Sequence, residues 1–213
     1  YGGIVRLTRR VLFGTLLFEG IGAALLSVRF VGEFGLLRGI GMGIFHAVSA
    51  FCNGGFDLMG TPDDPFCSLV GYAGDPLVSL TIMALIVIGG LGFFVWSDVW
   101  DRKCFKRLTL HSKLVLTTSG ALLAGGFVLT LLFEWSNPAT LGGMTLPHKL
   151  LAAAFQSVTL RTAGFNTIDE SALTGPSQVL ACVLMLIGGS PGSTAGGLKT
   201  VTAAILALSA LGA

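Results

Sequence analysis

Phe45 to Asp57 reads "FHAVSAFCNGGFD", and Phe155 to Asn166 reads "FQSVTLRTAGFN". With one residue fewer, the second stretch returns the first. Phe, a polar residue, a small residue, Val and Ser/Thr open each copy, and Gly-Phe-Asx closes it. The surroundings repeat as well. Each copy follows a basic start and a long apolar segment. Each is followed by an acidic loop and a second apolar segment containing "IGG", at Ile88–Gly90 and Ile187–Gly189. The chain therefore reads as two tandem units, residues 1–109 and 110–213, each a helix, a short re-entrant segment and a helix.

Composition sets the environment. Apolar residues make up 53% of the chain and charged residues 11%, against roughly 25% charged in a soluble domain, and the mean hydropathy is +0.82. Pro76–Ser97, Leu114–Phe133 and Ser171–Leu198 carry no charge, and each is about as long as the roughly 20 residues a helix needs to cross a bilayer. These features predict an all-α integral membrane protein and exclude a soluble domain. The start "YGGIVRLTRR" has neither an initiating Met nor a signal-peptide layout, and Ala213 ends an apolar run, so both ends read as cut from a longer polypeptide.

The net charge of +2 carries no signature of nucleic-acid binding, but its distribution is informative. Arg6, Arg9 and Arg10 form one basic cluster, and Arg102, Lys103, Lys106, Arg107 and Lys113 form a second. The positive-inside rule places both on the cytoplasmic side of a cell membrane. The loop from Asp57 to Asp75 carries Asp57, Asp63, Asp64 and Asp75 without a base, and "NTIDESALTG" carries Asp169 and Glu170. Those loops belong outside. Cys52, Cys67, Cys104 and Cys182 show no C-x-x-C and no His partner at metal spacing, which reads as four free thiols.

The short segments are re-entrant for two reasons. Gly39 to Phe51 is only about 13 residues, too few to cross, and Asn53, Gly54 and Gly55 then discourage further helix. Irregular backbone at membrane depth must line water or be buried in protein. A half-helix that turns at glycine presents backbone carbonyls to an axis. A ring of such oxygens replaces the hydration shell of a cation, and a helix C-terminus adds partial negative charge. Gly55 and Gly164 permit the conformations this requires, and Phe56 and Phe165 are expected to pack behind them.

"GGSPGSTAGGLKT", Gly188 to Thr200, resembles three motifs at once. As a P-loop it fails, because Leu198 separates Gly197 from Lys199 and no strand precedes it. As a nucleophile elbow it lacks the later acid and His, since no Asp, Glu or His follows Ser190 in this sequence. His46, His111 and His148 share no spacing suited to a base or a metal. A helix broken inside the membrane remains. Six Gly or Pro residues within ten positions make continued helix costly, and Ser190, Ser193 and Thr194 are expected to satisfy the freed backbone groups locally.

Together these three stretches resemble the pore subunit of the Trk/Ktr/HKT potassium transporter family, most closely the bacterial Ktr type, over essentially the whole chain. The resemblance implies tandem helix–pore loop–helix repeats as in potassium-channel-like transporters, with a broken last helix. It places this chain as the second and third of four repeats. It implies a selectivity filter of Asn53, Gly54, Gly55 and Phe56 with Thr162, Ala163, Gly164 and Phe165, and potassium at the filter glycines. Gly54 departs from the Ala expected there. The resemblance also implies a gate loop, 188–197, that obstructs conduction under the filter. Gly188, Gly189, Ser190, Gly192, Ser193, Thr194, Gly196 and Gly197 belong to it, and Lys199 follows on the cytoplasmic side or simply snorkels to the inner surface.

Arg161 is expected to brace the filter through nearby backbone or a carboxylate. Glu19, within the first long helix, either pairs with a base outside this chain or lines the inner mouth. The implied activity is potassium uptake through a multi-pass protein of the cell (inner) membrane. The alternatives are a sodium/potassium co-transporting or sodium-permeable member, or an alternating-access carrier. No enzymatic activity, no cofactor and no nucleic-acid partner are expected. The implied partners are a second pore subunit, a cytoplasmic ring of nucleotide-binding regulatory subunits, and membrane lipid. The orientation is checked by thiol labelling of intact cells, in which Cys67 reacts from outside and Cys104 only from inside; reversed labelling contradicts it.

Overall fold

A computed structural model describes residues 2–62 and 64–212; Tyr1, Asp63 of the acidic loop, and Ala213 lie outside the described residues. Among the described residues eight α-helices follow one another: α1 (Gly2–Phe34), α2 (Leu36–Phe51), α3 (Pro76–Leu91), α4 (Phe93–Arg102), α5 (Leu110–Glu134), α6 (Leu146–Thr159), α7 (Gly175–Leu186) and α8 (Thr200–Gly212). The described residues form no strand, only an isolated bridge between Ile187 and Leu198.

Within α1 the stretch Val5–Phe34 contains an 18-residue window of mean hydropathy 1.9, and its length exceeds the roughly 30 Å hydrocarbon thickness at about 1.5 Å per residue. It ends at Gly35, whose φ of 80° only glycine adopts freely, and the chain doubles back into α2. The two helices touch through glycine. A Cβ on Gly39 would strike the backbone of Val31, and one on Gly43 would strike Ser27 and the Ala23 carbonyl. Small residues of this kind let membrane helices approach closely. At 16 residues, α2 is about 24 Å long, too short to span.

Pro76–Ser97 is not the single span that its hydropathy suggests. Its helix breaks at Gly92 (φ 92°), and α4 leaves α3 at a bend of 92°. Trp96 Nε1 donates to the Ile88 carbonyl at 2.9 Å and closes the corner. Ser171–Leu198 likewise contains only the 12-residue α7 before the chain becomes irregular. Two described helices are therefore individually long and apolar enough to cross a membrane, Val5–Phe34 and Leu110–Glu134, with a third if the bent pair counts as one span.

Phe30, Phe51, Phe155, Phe165, Leu26 and Ile82 are fully enclosed where α1, α2, α3 and α6 meet. Outward faces are also apolar, with Leu16, Leu17, Val28, Leu132 and Val179 exposed, the inverse of a water-soluble surface and suited to lipid. Charge divides the molecule into two ends. Arg10 pairs with Asp101 at 2.8 Å, which brings the starts of α1 and α5 and the end of α4 to a basic end. At the other end Arg29 pairs with Asp75 at 2.7 Å. Asp75 also caps α3, accepting from the Leu77 and Val78 amides at 3.0 and 3.2 Å. Tyr72 donates to Glu33 at 2.8 Å; burial, aided by that carboxylate, holds its phenol above its ordinary range.

In the second half the same job falls to Glu134, which is fully buried. Asn137 Nδ2 and Thr140 Oγ1 donate to one of its oxygens at 2.7 and 2.6 Å, and the amide and hydroxyl of Thr174 donate to the other at 2.9 and 2.7 Å. This joins the end of α5 to the start of α7. Glu134→Ala strands those donors in a buried site and is expected to cost about 3 kcal/mol, read as a lowered unfolding midpoint of the detergent-solubilised protein.

Candidate functional site

The loops after α2 and α6 share one construction. Asn53 (φ 51°) and Thr162 (φ 66°) occupy the left-handed region, followed by Gly54 and Ala163, and then Gly55 (φ 68°) and Gly164 (φ 98°) return to positive φ. The Gly54 amide donates to the Ser49 carbonyl at 2.8 Å, and the Ala163 amide donates to the Thr159 carbonyl at 2.9 Å. Ser49 Oγ donates to the Phe56 carbonyl at 2.7 Å, and Thr159 Oγ1 to the Phe165 carbonyl at 2.6 Å. The Ser/Thr of each sequence copy is thus a pin from the half-helix to the far side of its loop, a role that the shared Val-Ser/Thr pair signalled and sequence reasoning did not assign.

The two loops lie side by side. A Cβ on Gly55 would run into the Ala163 carbonyl and come 2.7 Å from Gly164 Cα, whereas one on Gly164 would meet Gly55 Cα at 3.2 Å. The two phenylalanines part company. Phe165 is fully buried, its ring centroid 6.3 Å from that of His46, but Phe56 is 72% exposed and does not pack behind its own loop. Phe165 rests on the half-helix of the preceding unit, and the described residues offer Phe56 no equivalent neighbour.

His46, which sequence reasoning set aside, is fully buried in α2. Its Nδ1 lies 2.7 Å from the Met42 carbonyl, and the Leu58 amide donates to Nε2 at 3.3 Å. A carbonyl only accepts and an amide N–H only donates, so the ring is neutral with its proton on Nδ1. It anchors the chain just past Phe56. On the other loop, Gln156 Nε2 donates to Glu170 Oε1 at 2.7 Å, and burial holds the Glu170 carboxyl above its ordinary range. Glu19 is half-buried on α1.

Residues 188–197 form a closed loop beneath these two. Its neck is glycine against glycine: Gly189 N donates to the Gly196 carbonyl at 3.1 Å, Leu198 N donates to the Leu186 carbonyl at 2.9 Å, and a Cβ on Gly188 or Gly197 would strike the opposite strand. Its tip docks on the α3–α4 corner. Ser190 N donates to the Gly90 carbonyl at 3.0 Å, Thr194 N to the Gly89 carbonyl at 3.3 Å, and Phe93 N to the Gly192 carbonyl at 2.9 Å. Each paired loop also holds it, Thr162 Oγ1 accepting from Gly196 N at 3.1 Å and Asn53 Nδ2 donating to Thr194 Oγ1 at 3.0 Å.

The loop's hydroxyls therefore do not act only locally. Thr194 Oγ1 reaches the Phe51 carbonyl at 2.8 Å, and Ser190 Oγ lies 3.1 Å from Thr200 Oγ1. The buried Ser193 hydroxyl has no partner among the described residues. Arg161 does bond nearby backbone, and that backbone belongs to the lower loop. Its Nη2 donates to the Gly188 carbonyl at 3.0 Å and to Ser119 Oγ at 3.3 Å, which ties it to residues 188–197 and to α5. Lys199 Nζ donates to the Ala195 carbonyl at 2.8 Å, which ties it to the loop. Because the amides of Gly189, Ser190, Ser193, Thr194 and Gly196 already donate to protein acceptors, this is no phosphate cradle. Among the described residues, no three His, Cys, Asp or Glu side chains are grouped to hold a metal ion, and all four cysteines are free.

Comparison with known proteins gives one answer. The family model TrkH, described as "Cation transport protein", matches residues 1–211. The potassium/sodium uptake protein NtpJ of Enterococcus hirae is 44% identical over 204 residues, covering 96% of this chain and 44% of that protein. The Ktr system potassium uptake protein B of Vibrio alginolyticus is 43% identical (94% and 43% covered), and that of Bacillus subtilis 40% identical (99% and 46%). The crystal structure of the potassium transporter TrkH from Vibrio parahaemolyticus superposes with a TM-score of 0.72 at 21% identity, over 98% of this chain and 41% of that one; it shares the fold. The chain spans less than half the length of each of these proteins.

The contact between the loops makes their glycines unequal. Gly55→Ala drives a methyl into neighbouring backbone, whereas Gly164→Ala meets only a tight contact. Gly55→Ala is expected to destabilise by about 2 kcal/mol more than Gly164→Ala, measured as the difference between their thermal midpoints.

Proposed function

This chain belongs to the TrkH family of cation transport proteins, and from that premise we propose that it contributes two tandem units, residues 1–109 and 110–213, to a pore for potassium uptake. The observation that carries this reading is the matched pair of loops, in which two half-helices end in the same left-handed residue, small residue, left-handed glycine and pinned phenylalanine. Such backbone offers rigid carbonyl oxygens near a helix C-terminus, suited to a cation that has shed its water. Asn53–Phe56 and Thr162–Phe165 are its selectivity filter, with potassium at Gly55 and Gly164. The relatives named as potassium uptake proteins support the choice of ion. The relative named for potassium and sodium favours a second reading, in which sodium also passes.

Residues 188–197 are the gate. They lie against both filter segments, and their glycines give a loop that rearranges at low steric cost. The gathering of Arg10, Arg102 and Lys113 toward one end supports a multi-pass orientation in the cell membrane with the basic segments cytoplasmic. The relatives named as parts of a Ktr system support assembly with other subunits: a second pore subunit, and a cytoplasmic ring of nucleotide-binding subunits that acts on the gate.

The test uses the complete transporter in potassium-uptake-deficient cells and in vesicles. Gly164→Ser lowers discrimination of potassium over sodium by about tenfold, a change of about 1.4 kcal/mol, and deletion of Ser190–Gly196 raises flux and its independence of the regulatory subunits. Wild-type ion ratios in the first variant refute the filter, and unchanged partner-dependent flux in a folded deletion refutes the gate.

A further inference from the structure

Asn53 sits where the two halves meet. Its Nδ2 donates to Thr194 Oγ1 at 3.0 Å, and Thr194 Oγ1 lies 2.8 Å from the Phe51 carbonyl. An amide nitrogen only donates, so the hydroxyl accepts from Asn53 and its own proton goes to Phe51. At the other end of the side chain, Asn53 Oδ1 is buried without a hydrogen-bond partner among the described residues, and so is Arg161 Nε. Both side chains line a single small cavity of about 10 Å³, together with Gly90, Gly189 and Ala195. That volume is about one water.

We propose that one water occupies this cavity and completes a latch between gate and filter, accepting from Arg161 Nε–H and donating to Asn53 Oδ1. Every donor then points the same way: Arg161 to water, water to Asn53, Asn53 to Thr194, Thr194 to the carbonyl at the end of α2. The direction is fixed at both ends, because a guanidinium only donates and a carbonyl only accepts. Arg161 also holds Gly188 through Nη2, so the chain runs from the neck of the loop to its tip. On the second unit, Thr162 takes the Gly196 amide. The left-handed residue of each filter segment is therefore bonded to the gate, and displacing the gate removes a partner from both. Opening and ion selection change together. This inference rests on the reading that residues 188–197 obstruct the pore.

The experiment uses the complete transporter with its regulatory subunits in vesicles, measuring potassium flux without the activating nucleotide and the competition of sodium with potassium. Thr194→Val removes the hydroxyl at nearly constant shape. It is expected to raise that basal flux about tenfold and to lower discrimination against sodium in parallel, while Thr194→Ser restores both to wild-type values. Thr194→Val with wild-type flux and selectivity, alongside a Ser190–Gly196 deletion that still opens the pore, overturns the latch and leaves the gate intact. A deletion that leaves flux unchanged overturns both. Should Thr194→Val fail to fold, a high-resolution structure of the wild-type transporter decides. Density for one water within hydrogen-bond distance of Asn53 Oδ1 and Arg161 Nε supports the latch, and a cavity without it, or an amide turned with Nδ2 toward Arg161, refutes it.

Discussion

Two broken helices repair one another, and the rest of the structure depends on that exchange. When α3 stops at Gly92, the carbonyls of Gly89 and Gly90 lose their helical partners, and the Phe93 amide at the start of α4 has none. Inside an apolar environment such groups cannot be left to lipid. The amides of Thr194 and Ser190 take the two carbonyls, and the Gly192 carbonyl takes the Phe93 amide. The second break, after α7, is satisfied in the same exchange. Neither break would be tolerable alone inside a bilayer, and the backbone bonds join the two halves of the chain before any side chain is considered.

That junction explains where glycine is needed. A Cβ on Gly89 would strike the Phe51 carbonyl, one on Gly92 the Pro191 carbonyl, and one on Gly189 the Ala195 side chain. Three chain segments thus meet at backbone distance around the end of α2. Phe51 is enclosed there, its ring 5.6 Å from that of Trp96, and Trp96 in turn bonds the Ile88 carbonyl. Aromatic packing outside and glycine contact inside fix the α2 terminus from which the loop of Asn53–Phe56 departs.

Much of this was legible in the sequence. The repeat located both loops and both left-handed glycines, because a backbone that must take positive φ restricts residue choice, and that restriction recurs in the copies. The broken helix at 188–197 was legible for the same reason. What stayed hidden was pairing across distance. Hydropathy over Pro76–Ser97 averages Gly92 away, so a straight span was the natural reading, although "IGGLG" and "IGGSPG" carry the same punctuation. Thr194 looked like a local backbone partner because nothing in its neighbourhood names Phe51, which is 143 positions away. Phe56 and Phe165 share a motif position but not a fate, since burial depends on which half-helix lies alongside.

The manner in which residues 188–197 are held also suits the gate proposed for them, a barrier that has to yield. A plug made of large apolar side chains would be held by area removed from water, and moving it into a hydrated pore would forfeit about 25 cal/mol for every Å² re-exposed. This loop instead consists largely of Gly, Ser and Thr, and amide–carbonyl and hydroxyl bonds hold it to Gly89, Gly90, Phe51, Asn53 and Thr162. Each such bond contributes only about 1 kcal/mol net when water replaces the lost partner. The same contacts are costly to break while the site is dry and cheap to exchange once water enters. On the proposed reading of residues 188–197 as a gate, closure is therefore strongest when the space beneath the loop is dehydrated, and wetting of that space lowers the barrier to opening.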